Sequence, residues 1–154
     1  MNETPNQPHL LLVEDDPAQA DLVRMGLDSS CGGFSIDHVL DGEAALAYLR
    51  QEKPYAGSPR PDVVFLDLNL PRISGIEVLQ QIKRDASLCM IPIVVLSTSE
   101  SDNDRSAAYA HGVNSYVKKP VGFENFQQMC QDLRQYWMSR NLPPVWEQAA
   151  KRAG

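Results

Sequence analysis

The sequence predicts an α/β protein: one doubly wound sheet of parallel strands, covered by helices on both faces. Five short apolar runs alternate with five segments of helical periodicity, which is the signature of successive βαβ units with right-handed crossovers. Apart from the second, Phe34–Leu40, which alternates Phe34, Ile36, His38 and Leu40 with smaller or polar residues, the runs are apolar instead of alternating, as strands buried on both faces require. Four of them stop at charged or hydroxyl side chains, Glu14-Asp15, Asp67, Ser97 and Lys119, and open parallel sheets gather their ligand-binding groups at the carboxyl ends of strands.

Taken in order, Met1–Pro8 is a polar, proline-bearing leader. His9–Val13 forms the first strand, and Glu14, Asp15 and Asp16 follow it directly. Asp16-Pro17 opens helix one, with Asp as N-cap and Pro at the first helical position; Ala18, Leu22 and Met25 recur at helical spacing as far as Leu27. Ser29–Gly33 is a turn, and Phe34–Leu40 is the second strand. Asp41-Gly42-Glu43 caps helix two, which reaches about Arg50. The connection Gln51–Pro61 holds three prolines, which exclude regular helix. Asp62–Leu66 is the third strand, ending at Asp67, and Leu68–Pro71 leaves it as a loop.

Ser74-Gly75 leads into helix three, along which lie Ile76, Leu79 and Ile82. A loop over Asp85–Ile91 and Pro92 precede the fourth strand, Ile93–Leu96, which ends in Ser97, Thr98 and Ser99. Helix four spans Asp102–His111 and stops at Gly112, a C′ glycine. Ser115–Lys118 is the fifth strand, closed by Lys119-Pro120. Phe123, Phe126, Cys130, Leu133 and Trp137 make the inward stripe of helix five, and Leu142-Pro143-Pro144 breaks it. Val145–Ala153 either forms a short terminal helix starting at the prolines or stays disordered. The strand order expected for such a chain is 2-1-3-4-5, the flavodoxin-like (βα)5 arrangement.

The 154 residues suffice for one domain with a real core. The net charge of −6 argues against a nucleic-acid or anionic-membrane surface. Cys31, Cys89 and Cys130 lie far apart, form no CxxC and are odd in number, which suits a reducing cytoplasmic compartment. His9, His38 and His111 are equally scattered and form no metal-ligand spacing. No signal peptide and no membrane-length apolar run is present.

A strand-end aspartate is most often a turn former or helix cap; what distinguishes Asp67 is its company. In the expected strand order the ends of strands one, three, four and five are neighbours. The carboxylates of Glu14, Asp15 and Asp67 then crowd together, and like charges at that range resist ionisation unless a cation neutralises them. Oxygen ligands in small number suit Mg2+, which keeps several of its waters. Lys119 adds a mobile positive charge and Ser97 a hydroxyl. A divalent cation, a lysine and a hydroxyl around one carboxylate are what phosphoryl transfer to that carboxylate needs. The plainer alternative is a Lys119–carboxylate salt bridge with Ser97 as a cap, contributing stability alone.

The acidic pair, the DLNLP segment, the hydroxyl at the fourth strand end and SYVKKP resemble, in the same order, the receiver domains of two-component response regulators. The resemblance covers Pro8–Trp137. It implies that Asp67 accepts a phosphoryl group from a histidine kinase. It also implies that Asp15, Asp67 and the carbonyl of Asn69 hold Mg2+, with Glu14 acting through water. Lys119 would pair with the phosphoryl group, Ser97 would move to bond it, and Tyr116 would change rotamer as an aromatic switch; the Lys119-Pro120 bond would be cis. Thr98 and Asn69 would flank the site and influence phosphate loss. The long proline-rich connection and the aromatic pair Tyr136-Trp137 further resemble the small regulators that partner bacterial and cyanobacterial phytochromes, which implies a light-regulated kinase.

On this reading residues 9–138 form the receiver, residues 139–154 form a tail too short for an output domain, and the output is protein contact. A homodimer through helix four, strand five and helix five is expected, using Met129, Tyr136, Met138, Val145 and Trp146 as an exposed patch. Two other classes are weaker. A haloacid-dehalogenase-like phosphatase resembles DxDx[TV], and Asn69 stands where its second acid would be. A receiver-like binding module that never meets phosphate has no reason to keep Glu14, Asp15, Asp67, Ser97 and Lys119 together.

Overall fold

The structure, a computed structural model, describes residues 7–28 and 33–146. The first six leader residues, most of the Ser29–Gly33 turn with Cys31, and all of the terminal segment Val145–Ala153 but Val145 and Trp146 lie outside the described residues.

Five strands, β1 (His9–Val13), β2 (Ser35–Val39), β3 (Val63–Leu66), β4 (Ile93–Ser97) and β5 (Ser115–Lys118), pair in parallel in the order β2-β1-β3-β4-β5. Between and after them run α1 (Pro17–Leu27), α2 (Gly42–Leu49), α3 (Gly75–Arg84), α4 (Asp102–Ala110) and α5 (Phe123–Gln135). The expected fold class and strand order are therefore the observed ones.

The apolar runs divide by parity. Leu11, Val13, Val64, Leu66, Ile93 and Val95 face one side, toward α2, α3 and α4. Leu10, Leu12, Val63, Phe65, Val94 and Leu96 face the other, toward α1 and α5. Each such side chain taken fully from water contributes roughly 2 kcal/mol. This two-sided burial explains why β1, β3 and β4 read as apolar runs, whereas the edge strands β2 and β5, only partly buried, carry polar residues.

The helices begin where their caps place them. Asp16 accepts from the Ala18 N–H, Asp41 from the Ala44 N–H, Ser74 from the Glu77 N–H and Ser101 from the Asp104 N–H. Gly112 follows α4 with φ +87°, a left-handed conformation open to glycine. The face that α1 buries is Ala20, Val23 and Leu27, whereas Met25 is exposed. Both rows have helical spacing, and it is packing over Leu10 and Leu12 that selects between them.

In α5 the inward stripe is Phe126, Met129 and Cys130, with Leu133 and Trp137 partly buried. Phe123 is 55% exposed, contrary to expectation, and is not among the side chains packed on the sheet. Met129, expected on the outside, is buried. After Gln135 the helix widens into a π-helical turn, Tyr136–Arg140, before Leu142-Pro143-Pro144.

The remaining differences are local. Leu40 lies outside β2 and is exposed, and Asp62 precedes β3, where its carboxylate accepts the His9 N–H at 2.7 Å. The Lys119–Pro120 bond is not cis, which corrects the expectation carried by resemblance; the trans form is the favoured one for X-Pro bonds, and the cis bond among the described residues is Lys53–Pro54. The connection that holds it packs Tyr55 against Tyr48, with ring centroids 5.5 Å apart. The chain after α5 returns to the same loop, where the Arg60 guanidinium lies 3.9 Å from the Trp146 ring centroid.

Candidate functional site: a carboxylate cluster at the strand ends

The site groups sit one rung past the sheet ladder. The Glu14 N–H donates to the Val39 carbonyl at 3.1 Å, the Asp67 N–H to Val13 at 3.1 Å, and the Lys119 N–H to Ser97 at 2.8 Å. Each residue's backbone is thus fixed by the neighbouring strand, so the side chains converge because the strands are in register.

Glu14, Asp67, Ser97 and Lys119 are all buried, while Asp15 and Asn69 are exposed at the mouth. The Lys119 ammonium has three protons and three acceptors. It donates to Gln19 Oε1 at 2.7 Å, to Glu14 Oε2 at 2.8 Å and to Asp67 Oδ2 at 3.3 Å. The other Asp67 oxygen, Oδ1, accepts the Asn69 N–H at 3.0 Å. Burial pushes the Glu14 carboxyl up to about 7; the hydrogen bond from Lys119 opposes the rise, and the neighbouring Asp67 adds to it. Three carboxyl groups, those of Glu14, Asp15 and Asp67, stand against the one ammonium of Lys119, so with all three ionised the cluster carries an excess of negative charge.

That excess fits a small hard cation. Ligand oxygens of Glu14, Asp15 and Asp67 all lie within 4.8 Å of one another, and an all-oxygen donor set of few protein groups open to solvent suits Mg2+.

The β4 end carries a second network. Ser97 Oγ accepts the Ser99 N–H at 3.1 Å, and Ser99 Oγ donates to Asp104 Oδ2 at 2.6 Å. The half-buried Tyr116 donates its hydroxyl to the Ser99 carbonyl at 3.0 Å. Tyr116 is therefore tied to the loop that follows Ser97, one link from the cluster. Thr98 is exposed beside it.

The structure brings together Glu14, Asp15, Asp67 and Lys119, sets Asn69 at the rim and Ser97 at the next strand end, and couples Tyr116 through Ser99. Sequence reasoning missed Gln19 and Ser99. Gln19 lies in the first turn of α1, four residues past Asp15, where a helix starting at a strand end turns its side chain back toward the site. Ser99 was visible only as one of three consecutive hydroxyl residues.

A parallel 2-1-3-4-5 sheet with an acid cluster and a lysine at its switch point defines an α/β signalling module of the receiver type. Residues 10–131 match the response regulator receiver domain, and the chain belongs to that family. Among curated relatives, the probable methanogenesis regulatory protein FilR2 of Methanothrix harundinacea is 43% identical over 135 residues, covering 88% of this chain and 86% of its own. Response regulator Rcp1 of Synechocystis sp. is 41% identical over 150 residues, covering 94% and 99%. Its Mn2+-bound crystal structure superposes with a TM-score of 0.85 at 38% identity, covering 90% of this chain and 99% of that one. The crystal structure of the phosphorylated cyanobacterial phytochrome response regulator RcpA gives a TM-score of 0.87 at 39% identity, covering 91% and 100%. Receiver domains act in signalling with sensor histidine kinases; aspartate phosphorylation and divalent-metal binding are general to the family. No helix among the described residues is long and apolar enough to cross a membrane.

Proposed function

We propose that Asp67 is the phosphoacceptor of a two-component regulator, loaded by a histidine kinase in the cytoplasm. The observation that carries the reading is the buried Asp67 carboxylate, 3.3 Å from the Lys119 ammonium and clustered with Glu14 and Asp15. An Asp67 carboxylate oxygen attacks the phosphorus of a phosphohistidine. The new P–O bond forms as the P–N bond breaks, and the electron pair of that bond stays on the imidazole nitrogen.

Mg2+, held by Asp15, Asp67 and the Asn69 carbonyl with Glu14 acting through water, would neutralise charge on the transferring group. Lys119 pairs with a phosphoryl oxygen. Ser97 then gives its hydroxyl to a second oxygen, which changes its bond to Ser99 and so frees Tyr116 to leave the Ser99 carbonyl. The phosphoryl group thereby biases the β4–α4 loop through contacts that exist in one state only.

The likeness to Rcp1 and RcpA supports a phytochrome-linked kinase as the donor. Residues 9–138 form the receiver and 139–154 a tail, and the signal leaves by protein contact, with no role for nucleic acid or a membrane. A homodimer through α4, β5 and α5 fits this output. Tyr136 and Val145 are its exposed apolar members; Met129 is withdrawn into the core, and Met138 and Trp146 are partly covered.

The test is phosphoryl labelling with Mg2+ and acetyl phosphate, or with a phytochrome kinase and ATP, read by intact mass. Wild type should gain one phosphoryl group and Asp67→Asn none. Equal labelling of the two proteins would place the acceptor elsewhere.

A further inference from the structure

The shortest contact of the Lys119 ammonium is to an uncharged group outside the acid cluster. Gln19 Oε1 lies 2.7 Å from Lys119 Nζ, nearer than Glu14 Oε2 at 2.8 Å and Asp67 Oδ2 at 3.3 Å. The amide must present its oxygen, since an ammonium has donors and no acceptor. Gln19 reaches the ammonium from α1 and lines a cleft of about 290 Å³ with Leu22, Thr98, Pro120 and Phe126.

We infer that Gln19 is a positioning residue that holds Lys119 in its resting place and sets how readily the ammonium turns to the phosphoryl group. The inference rests on the phosphoacceptor reading of Asp67. With three acceptors in place the ammonium has no free proton. To pair with a phosphoryl oxygen it must release one of them. Glu14 is a poor candidate for release, because its carboxyl is buried and lies 2.8 Å from the ammonium, its ion-pair partner. Asp67 carries the phosphoryl group itself. Gln19 is neutral and half-buried, so its carbonyl oxygen is the acceptor whose loss costs least. The Gln19 bond therefore exists in the resting state and not in the phosphorylated one, and a contact made in one state only shifts the balance between them. Gln19 opposes the active state, and its removal favours that state.

The probe is beryllofluoride, a phosphoryl mimic, titrated with Mg2+ into the full chain and followed by amide spectra. Gln19→Met keeps chain length and helix propensity and removes the acceptor. It should bind the probe about fivefold more tightly than wild type, the effect of one net hydrogen bond, and should move the Lys119 ammonium 1H–15N signal in the unliganded protein. Gln19→Ala should show the same gain, which separates loss of the acceptor from any packing effect of methionine. A purely structural role predicts weaker binding in both variants, and binding that is unchanged or weaker overturns the inference. Wild-type protein that binds no beryllofluoride, with the fold intact, would instead overturn the phosphoacceptor reading on which the inference stands.

Discussion

At the residue scale, the Lys119 ammonium is the partner common to both buried carboxylates, Glu14 and Asp67. Lys119→Ala removes the contact through which a phosphoryl group would act on the strand ends. The variant should stay folded and still be labelled at Asp67, while its phosphorylation-dependent amide shifts around β4 and β5 disappear. Wild-type-sized shifts would falsify the coupling role. Cys130 offers a pH test outside the site. Burial pushes its thiol from 9.0 up to about 11. The unfolded chain therefore ionises first. The stability due to the neutral thiol is complete below pH 9 and is lost as pH rises toward 11. The urea midpoint should fall across that window, and the fall should flatten in Cys130→Ala. The residues that carry the site were legible in the sequence because each ends an apolar run. Gln19 was not, because nothing in a helix's first turn distinguishes a side chain that reaches back across the sheet from one in solvent.

At the scale of elements, the loop between β3 and α3 shapes the site from behind. A Cβ at Gly75 would overlap the backbone carbonyl oxygen of Asp67, and the Gly75 N–H donates to the Leu68 carbonyl at 3.0 Å. The start of α3 thus packs on the peptide of Asp67, the proposed acceptor. Gly75→Ala must push this peptide aside. It should lower stability by roughly 1–3 kcal/mol and slow acetyl-phosphate labelling of Asp67, measured by chemical denaturation and by the rate of mass gain. A labelling rate equal to wild type would mean that α3 does not hold the acceptor in place. Element existence was readable from apolar runs and caps, since Asp16, Asp41 and Ser74 all cap as their positions suggest. Which row of a helix faces inward was less readable. In α1 two rows satisfy the spacing, and in α5 Met129 replaces Phe123 in the buried face.

At the scale of the whole molecule, the strand order was legible because strand parity and crossover rules leave few alternatives. The course of the chain after α5 was not. No periodicity announces a π-helical turn, and the seating of Trp146 on Arg60 depends on a loop more than eighty positions earlier. That return covers part of the patch expected to pair two copies and leaves Tyr136 and Val145 exposed. A dimer is expected in sedimentation at micromolar concentration, with Tyr136→Glu shifting it to monomer. A monomer with and without beryllofluoride would rule out the pairing, and a dimer indifferent to Tyr136→Glu would move its interface elsewhere.

The ion pair between Glu14 and Lys119 spans 105 positions of sequence. A ribosome releases the acids of the first and third strands well before the lysine that completes their environment. Until the fifth strand has emerged and docked, the Asp67 carboxylate exists without its ammonium. A nascent chain, or one clipped before Lys119, therefore lacks the contact by which, on the proposed reading, a phosphoryl group would act on the strand ends, and that contact arrives with the last strand of the sheet.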